Sequence, residues 1–388
     1  MKTPSVPTSP PILPTPQLMQ GYIHEQLAQA GGWLPFDAFM AHALYAPSLG
    51  YYTNERPKLG RMPSDGSDFV TAPELSPIFG RTLAKQVAQA MQLCSVSEVW
   101  EFGGGTGALA EQVIGSLLRD GVPIQRYVIV ELSAMLRAKQ EATLAHLADK
   151  VELQWVTQWP DEINAVVLGN EVLDAMPVKL MVRTASGEWR ERGVVADDSQ
   201  DTWCLRWQDQ ATALRPDIDV PPGLDYWVEW HQQAQAWMRS LGSRLQSGAA
   251  LLVDYGFTHA EYYHPQRHMG TLMCHYQHTS DTNPLVGVGL KDITVHVDFT
   301  AAALAAQDGG LDVLGYTSQG RFLLNCGMVD LLPTGSPNEQ AQALKLVHEH
   351  EMGELFKVLA LVAPANTQAV NDAGGLIGFT QFDRTHTL

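Results

Sequence analysis

At roughly 100 to 200 residues per domain, the chain of 388 residues holds one large domain with insertions or two modest ones, which excludes a peptide-sized or disulfide-stapled scaffold. Lys and Arg number 25 against 42 Asp and Glu, and a net charge of −17 repels a phosphate backbone, so no nucleic-acid partner is expected. With 17% charged and 45% apolar residues the bulk of the chain is expected to fold, and the widely spaced Cys94, Cys204, Cys274 and Cys326 read as free thiols in a reducing compartment.

Residues 1–17, with Pro4, Pro7, Pro10, Pro11, Pro14 and Pro16 and no apolar stretch, read as a disordered leader and not a secretory signal. No apolar run approaches the roughly 20 residues of a membrane span, so no membrane insertion is expected and the expected location is cytoplasmic. Residues 18–93 read as a helical extension, with helices at 18–40 and 73–93 around a Gly- and Pro-rich loop at 43–68. Phe79, Leu83, Val87 and Met91 fall four apart, the stripe of a core-facing helix. Over 94–177 short apolar strands at 99–102, 127–131, 151–155 and 165–169 alternate with helices, which argues for βαβ units and a doubly wound parallel sheet. Over 178–224 apolar residues alternate around the turn signals Ser186-Gly187 and Asp197-Asp198, the pattern of an inserted antiparallel β cap. Within 225–388 the expected elements are a helix at 226–245, a strand at 249–255, helical stretches at 322–332 and 339–362, and a closing antiparallel hairpin of strands at 311–318 and 377–382. Loops over 257–300 lie on the expected substrate side.

The strongest local signal is Glu101-Phe102-Gly103-Gly104-Gly105-Thr106-Gly107, between a strand and a helix. Glycines at Gly103, Gly105 and Gly107 let the main chain approach a nucleotide-like cofactor. Gly103, Gly105 and Ala108 also fit the dinucleotide pattern G-x-G-x-x-G/A, so a nicotinamide oxidoreductase competes. Glu131 closes the next strand, where a carboxylate accepts hydrogen bonds from a ribose diol under either reading. Glu101 discriminates, because an acid before the first glycine suits the cationic amino group of a methionine moiety and repels a pyrophosphate. A glycine turn without any ligand is the bland alternative.

Polar residues then appear abruptly at the end of the fourth strand, in Gly169-Asn170-Glu171-Val172-Leu173-Asp174-Ala175-Met176-Pro177. Open α/β sheets place reacting groups at that edge, so Asn170, Glu171 and Asp174 are candidate catalytic residues, the two acids for a cationic substrate group. Asp174 as a plain helix cap is the alternative. His264, His268, His275, His278 and His296 lack metal-ligand spacing, and no metal is expected. His296 and Asp298 follow in an alternating stretch where an acid could equally cap the next helix.

These stretches, together with Gly50-Tyr51-Tyr52, the run from Asp68 to Gly80, Asp254-Tyr255-Gly256, Arg267-His268-Met269-Gly270-Thr271-Leu272 and the run from Asp292 to Thr300, resemble the MidA-like methyltransferases, the group of the mitochondrial complex I assembly protein arginine methyltransferases. The resemblance implies a class I methyltransferase (Rossmann-like) fold of seven strands, with S-adenosyl-L-methionine over Gly103 to Gly107. It also implies an arginine side chain of a protein as acceptor, a respiratory complex I subunit among the candidates, and makes His296 and Asp298 substrate-side candidates. The family commonly has Pro where this chain has Gly104. An assembly chaperone of the same fold, binding without turnover, is the non-enzymatic alternative.

Overall fold

Successive side chains of a strand face opposite ways, and in the apolar strands of this chain that period builds two cores. The computed structural model describes residues 16–54, 56, 58, 68, 70–197, 203–334 and 336–388; the expected leader lies outside these except at Pro16 and Gln17, as does most of the expected loop at 54–68. Seven strands, β1 (Glu98–Phe102), β2 (Arg126–Val130), β3 (Glu152–Val156), β4 (Ile163–Asn170), β5 (Leu245–Phe257), β6 (Asp312–Ser318) and β7 (Phe356–Val362), run in the order β3-β2-β1-β4-β5-β7-β6. The first five are parallel, and β7 is antiparallel to both β5 and β6.

Val99, Val166, Leu168, Leu251, Val253 and Val358 face the core formed with helices Ile78–Cys94 and Ala108–Arg119, and the expected stripe of Phe79, Leu83, Val87 and Met91 is buried there. Trp100, Ala165, Val167, Ala250, Leu252 and Leu359 face the other way, onto helices Gln232–Arg244 and Phe299–Asp308. A sheet covered on both faces leaves only its strand ends free to form a site.

Several expected elements are corrected. Among the described residues the sheet has eight strands, because Val297–Asp298 pairs in parallel with Gly256 and Phe257 at the end of β5. Residues 356–362 are the buried strand β7, not the end of a helix, since an unbroken apolar run is satisfied by strand neighbours on both sides. The closing antiparallel pair is therefore β6 with β7; Ile377–Phe379 is a 3₁₀ turn whose Phe379 packs on Phe322. Tyr226–Trp230 is a strand, and the helix begins only at Gln232. That strand joins Lys179–Arg183, Trp189–Asp197 and Cys204–Ala211 in an antiparallel sheet that also recruits Leu34–Pro35, so the sheet is wider than 178–224. The single helix expected at 18–40 is two, Pro16–Gln29 and Phe36–Tyr45, parted by Gly31 and Gly32. Likewise the helix expected at 73–93 is split into Ala72–Leu75 and Ile78–Cys94, with Pro77 at the start of the second. Phe36, Phe39, Met40 and Leu44 pack against Leu180 and Val194 of the antiparallel sheet and against Ile293 and Val295. The N-terminal helices thereby roof the strand ends.

At the opposite end of the sheet, the buried Asn366 side chain ties three elements. Its Oδ1 accepts from the Gly248 N–H at 2.7 Å and the Ser247 hydroxyl at 3.0 Å, and its Nδ2 donates to the Cys94 carbonyl at 3.4 Å. Asn366→Ala leaves a buried N–H without an acceptor and is expected to cost about 2 to 3 kcal/mol in urea unfolding while leaving S-adenosylhomocysteine affinity unchanged.

Candidate active site

A cleft of about 800 Å³ opens where β1, β2, β4 and β5 end. Its floor is the turn from β1 into helix Ala108–Arg119, where Gly103 and Gly105 take φ of +66° and +52°, a region that costs any side chain strain. A Cβ at Gly104 would lie 2.9 Å from the Ile129 methyl and 3.3 Å from Gln140 Nε2, so the space a proline needs is filled here by those two side chains. Gly107 is placed elsewhere: it starts the helix and packs on Gln140 and Thr143, outside the cleft lining.

Glu101 and Glu131 flank this turn. Glu101 is 2% exposed and accepts one hydrogen bond, from the Tyr127 hydroxyl at 2.6 Å; burial, against that bond, lifts its carboxyl to about 7. Glu131 accepts from the Ser133 N–H at 2.8 Å and from Gln140 Nε2 at 2.9 Å, and burial raises it too. Gln140 also donates to the Gly105 carbonyl at 3.0 Å and receives the Trp155 indole N–H at 3.0 Å. One amide thus locks the glycine turn to the acid of the next strand. Nothing in sequence marks Gln140, since its partners lie on three separate elements.

The end of β4 forms the second wall. Glu171 adopts φ +55°, a left-handed conformation that costs a side-chain-bearing residue roughly 1 to 3 kcal/mol. Its N–H donates to the Val253 carbonyl at 2.8 Å, and its carboxylate receives Asn170 Nδ2 at 3.0 Å. Asp254 at the end of β5 holds the turn in place, with Oδ2 accepting the N–H groups of Val172, Leu173 and Asp174 at 3.1, 2.9 and 3.3 Å. No helix follows Asp174, which is therefore no helix cap. Its Oδ2 accepts the Tyr255 hydroxyl at 2.6 Å, and its Oδ1, like Asn170 Oδ1, is buried with no partner of ordinary geometry among the described residues.

Residues remote in sequence complete this wall. Asp292 accepts the Tyr52 hydroxyl on both oxygens, at 2.9 and 3.1 Å, and Tyr52 stacks on Tyr45 with centroids 5.5 Å apart. Tyr45 in turn donates to the Ala175 carbonyl at 2.9 Å. Burial, then the charge of Asp174, lifts Asp292 to about 8; the same two causes lift Glu171 to about 8, and burial lifts Asp174 to about 6. No ion pair among the described residues involves Glu101, Glu131, Glu171, Asp174 or Asp292. His296 lines the cleft, stacked on Phe257 at 5.1 Å. Asp298 does not line it: its Oδ1 caps helix Phe299–Asp308 through the Ala301 N–H at 3.0 Å, and its Oδ2 meets His259. The expected helix-capping alternative applies to Asp298, which gives Oδ1 to the helix and Oδ2 to His259.

A glycine cradle with an acid on each side fits an aminoacyl nucleoside, and the second acidic wall fits a cation beside it. Residues 82–317 match the family described as S-adenosyl-L-methionine-dependent methyltransferases. A Burkholderia thailandensis protein solved with S-adenosyl-homocysteine bound is 42% identical, with a TM-score of 0.89 over 99% of this chain and 100% of that one. A second structure from the same organism, solved in native form, is 41% identical with a TM-score of 0.85 over the same 99% and 100%. The rat protein arginine methyltransferase NDUFAF7, mitochondrial, is 29% identical over 87% of this chain and 82% of its own length, and the bovine one is 30% identical over 84% and 79%. The fold is that of the class I methyltransferases and the cofactor is S-adenosylmethionine, which sets the nicotinamide alternative aside. The chain belongs to the MidA-like family of S-adenosyl-L-methionine-dependent methyltransferases.

Proposed function

We propose that the chain methylates an arginine side chain of a protein, and that the observation carrying this reading is the acceptor wall of the partly buried Glu171 and the buried Asp174 and Asp292, three carboxylates that no cation among the described residues pairs with. The names of the rat and bovine relatives support the same acceptor, and the family resemblance makes a respiratory complex I subunit the first protein to test. When bound, S-adenosylmethionine supplies a sulfonium methyl for in-line displacement, so catalysis rests on holding the two reactants in line. In this reading the backbone at Gly103 and Gly105 admits the cofactor, Glu101 receives its amino group and Glu131 its ribose hydroxyls. Leu132, 70% exposed beside Glu131 in the cleft, offers an apolar side chain for the base to cover. Across from them Glu171, Asp174 and Asp292 accept the N–H groups of the guanidinium and fix its plane, with Asn170 Oδ1 beside them. As the acceptor nitrogen gains its carbon and the carbon–sulfur bond breaks, one N–H proton passes to a carboxylate, for which groups raised to between about 6 and 8 are suited.

Two variants test the cofactor half by calorimetry with S-adenosylhomocysteine. Gly105→Val should abolish binding with the circular dichroism spectrum intact. Glu131→Gln removes a charge-assisted acceptor worth about 1.5 to 3 kcal/mol, a tenfold to hundredfold weaker Kd. Undiminished binding in both would move the cofactor elsewhere.

The acceptor half is tested with labelled S-adenosylmethionine and a lysate from a strain lacking the protein, or purified complex I subunits, followed by mass spectrometry. Glu171→Gln and Asp174→Asn should keep cofactor affinity near wild type and lose arginine labelling. Label on lysine or a small molecule would discard the arginine acceptor, and a wild type that binds cofactor yet transfers nothing would favour the assembly chaperone.

A pH dependence follows from the raised carboxyls. Acids whose pKa is raised stay protonated to higher pH, and a protonated wall does not pair with a cation, so transfer should rise from about pH 6 to about pH 8. Asp292→Asn should flatten that rise and lower the plateau by about tenfold or more. A profile identical to wild type would exclude Asp292 from the acceptor wall.

A further inference from the structure

A further carboxylate, Glu229, lies outside the methyltransferase sheet, on the antiparallel strand Tyr226–Trp230, and is 1% exposed. It too takes part in no ion pair among the described residues. Burying such a group is costly unless its lone pairs are filled, and here one turn and one tyrosine fill them. Glu229 Oε1 accepts the Thr271 N–H at 2.6 Å and the Leu272 N–H at 3.2 Å, while Oε2 accepts the Tyr262 hydroxyl at 3.0 Å. Gly270, at φ +76°, has Oε1 of Glu229 where a Cβ would stand, so the turn closes directly onto the carboxylate.

The bonds run onward to the cleft. Tyr262 donates its proton to Glu229, so its oxygen receives the Thr271 hydroxyl at 3.1 Å and His231 Nε2 at 3.2 Å, and Thr271 Oγ1 in turn accepts the backbone N–H of His296 at 3.1 Å. His296 is seated between Phe257, parallel at 6°, and Tyr255, edge-on at 79°, and Tyr255 is the donor to Asp174. With the Tyr262 proton on Glu229, the hydroxyls run in one sense from the His296 backbone N–H to the carboxylate.

We infer that Glu229 is a positioning residue of the antiparallel sheet, which through Tyr262 and Thr271 holds the His296 backbone, and with it the ring packed between Phe257 and Tyr255, beside the acceptor wall. The inference rests on the reading of that wall as the acceptor site, and makes the antiparallel sheet part of the active site and not only a cover.

The test is Thr271→Val, which cuts the chain while leaving every acceptor bond of Glu229 in place, with Thr271→Ser as the rescue and Glu229→Gln as the companion. In protein saturated with S-adenosylhomocysteine, the imidazole NMR signals of His296, assigned with His296→Asn, should shift in Thr271→Val and return in Thr271→Ser. Transfer of label should fall about tenfold to a hundredfold in kcat with Kd for S-adenosylhomocysteine within about twofold of wild type. Unmoved His296 signals in Thr271→Val, or a loss of cofactor affinity and melting temperature with His296 unchanged, overturns the proposal, and the serine pair decides it if Glu229→Gln fails to fold. Shifted His296 signals in a protein whose wild type labels no acceptor uphold the positioning and overturn the acceptor reading instead.

Discussion

Acidic groups held without an ion-pair partner among the described residues are the constraint around which the cleft is arranged. A buried carboxylate is costly in proportion to the donors it lacks, and the buried Glu101, Asp174 and Asp292 and the partly buried Glu171 each receive one side-chain partner, a tyrosine hydroxyl or an asparagine amide. Neutral donors orient these groups but leave their charge unbalanced, so their carboxyls titrate well above the ordinary range. A cationic guest recovers that cost on binding. The cofactor's amino group and a guanidinium are guests of this kind.

Two carboxylates of similar burial differ in use because they differ in donors. Asp254 collects the N–H groups of Val172, Leu173, Asp174 and Tyr255, and so its lone pairs are taken by the turn that presents Glu171 and Asp174. Asp174, one turn away, keeps an oxygen with no ordinary partner. The strained φ of Glu171 is sustained by this scaffold and by its N–H bond to Val253, which together over-determine the backbone.

The elements outside the sheet are as necessary to the cleft as the sheet itself. Strand ends supply the cofactor side and only part of the acceptor wall. The rest of the acceptor wall comes from helix Phe36–Tyr45 and the segment after it, through Tyr45 and Tyr52, and from the small strand Asp292–Thr294. The antiparallel sheet reaches the same wall through the Gly270–Leu272 turn.

What the sequence alone determined is what short range dictates: the glycine turn, the acids at the ends of β1 and β2, the polar break after β4, and the alternation of strands and helices. Each is written in contiguous residues, as dihedral freedom, period or an abrupt change of polarity, and nearby packing decides it. Only the tertiary structure decided the rest, because the deciding partners are remote. Tyr52 and Asp292 meet across 240 positions and Tyr255 and Asp174 across 81, and no local pattern distinguishes those residues from surface polar ones. Phe356–Val362 is apolar enough for a buried helix or a buried strand, and only the open edges of β5 and β6 make it a strand. Gly107 and Asp298 belong to motifs legible in sequence yet spend their chemistry on a helix contact and a helix cap, since a motif lists residue types while the backbone's path decides which of them face the cleft.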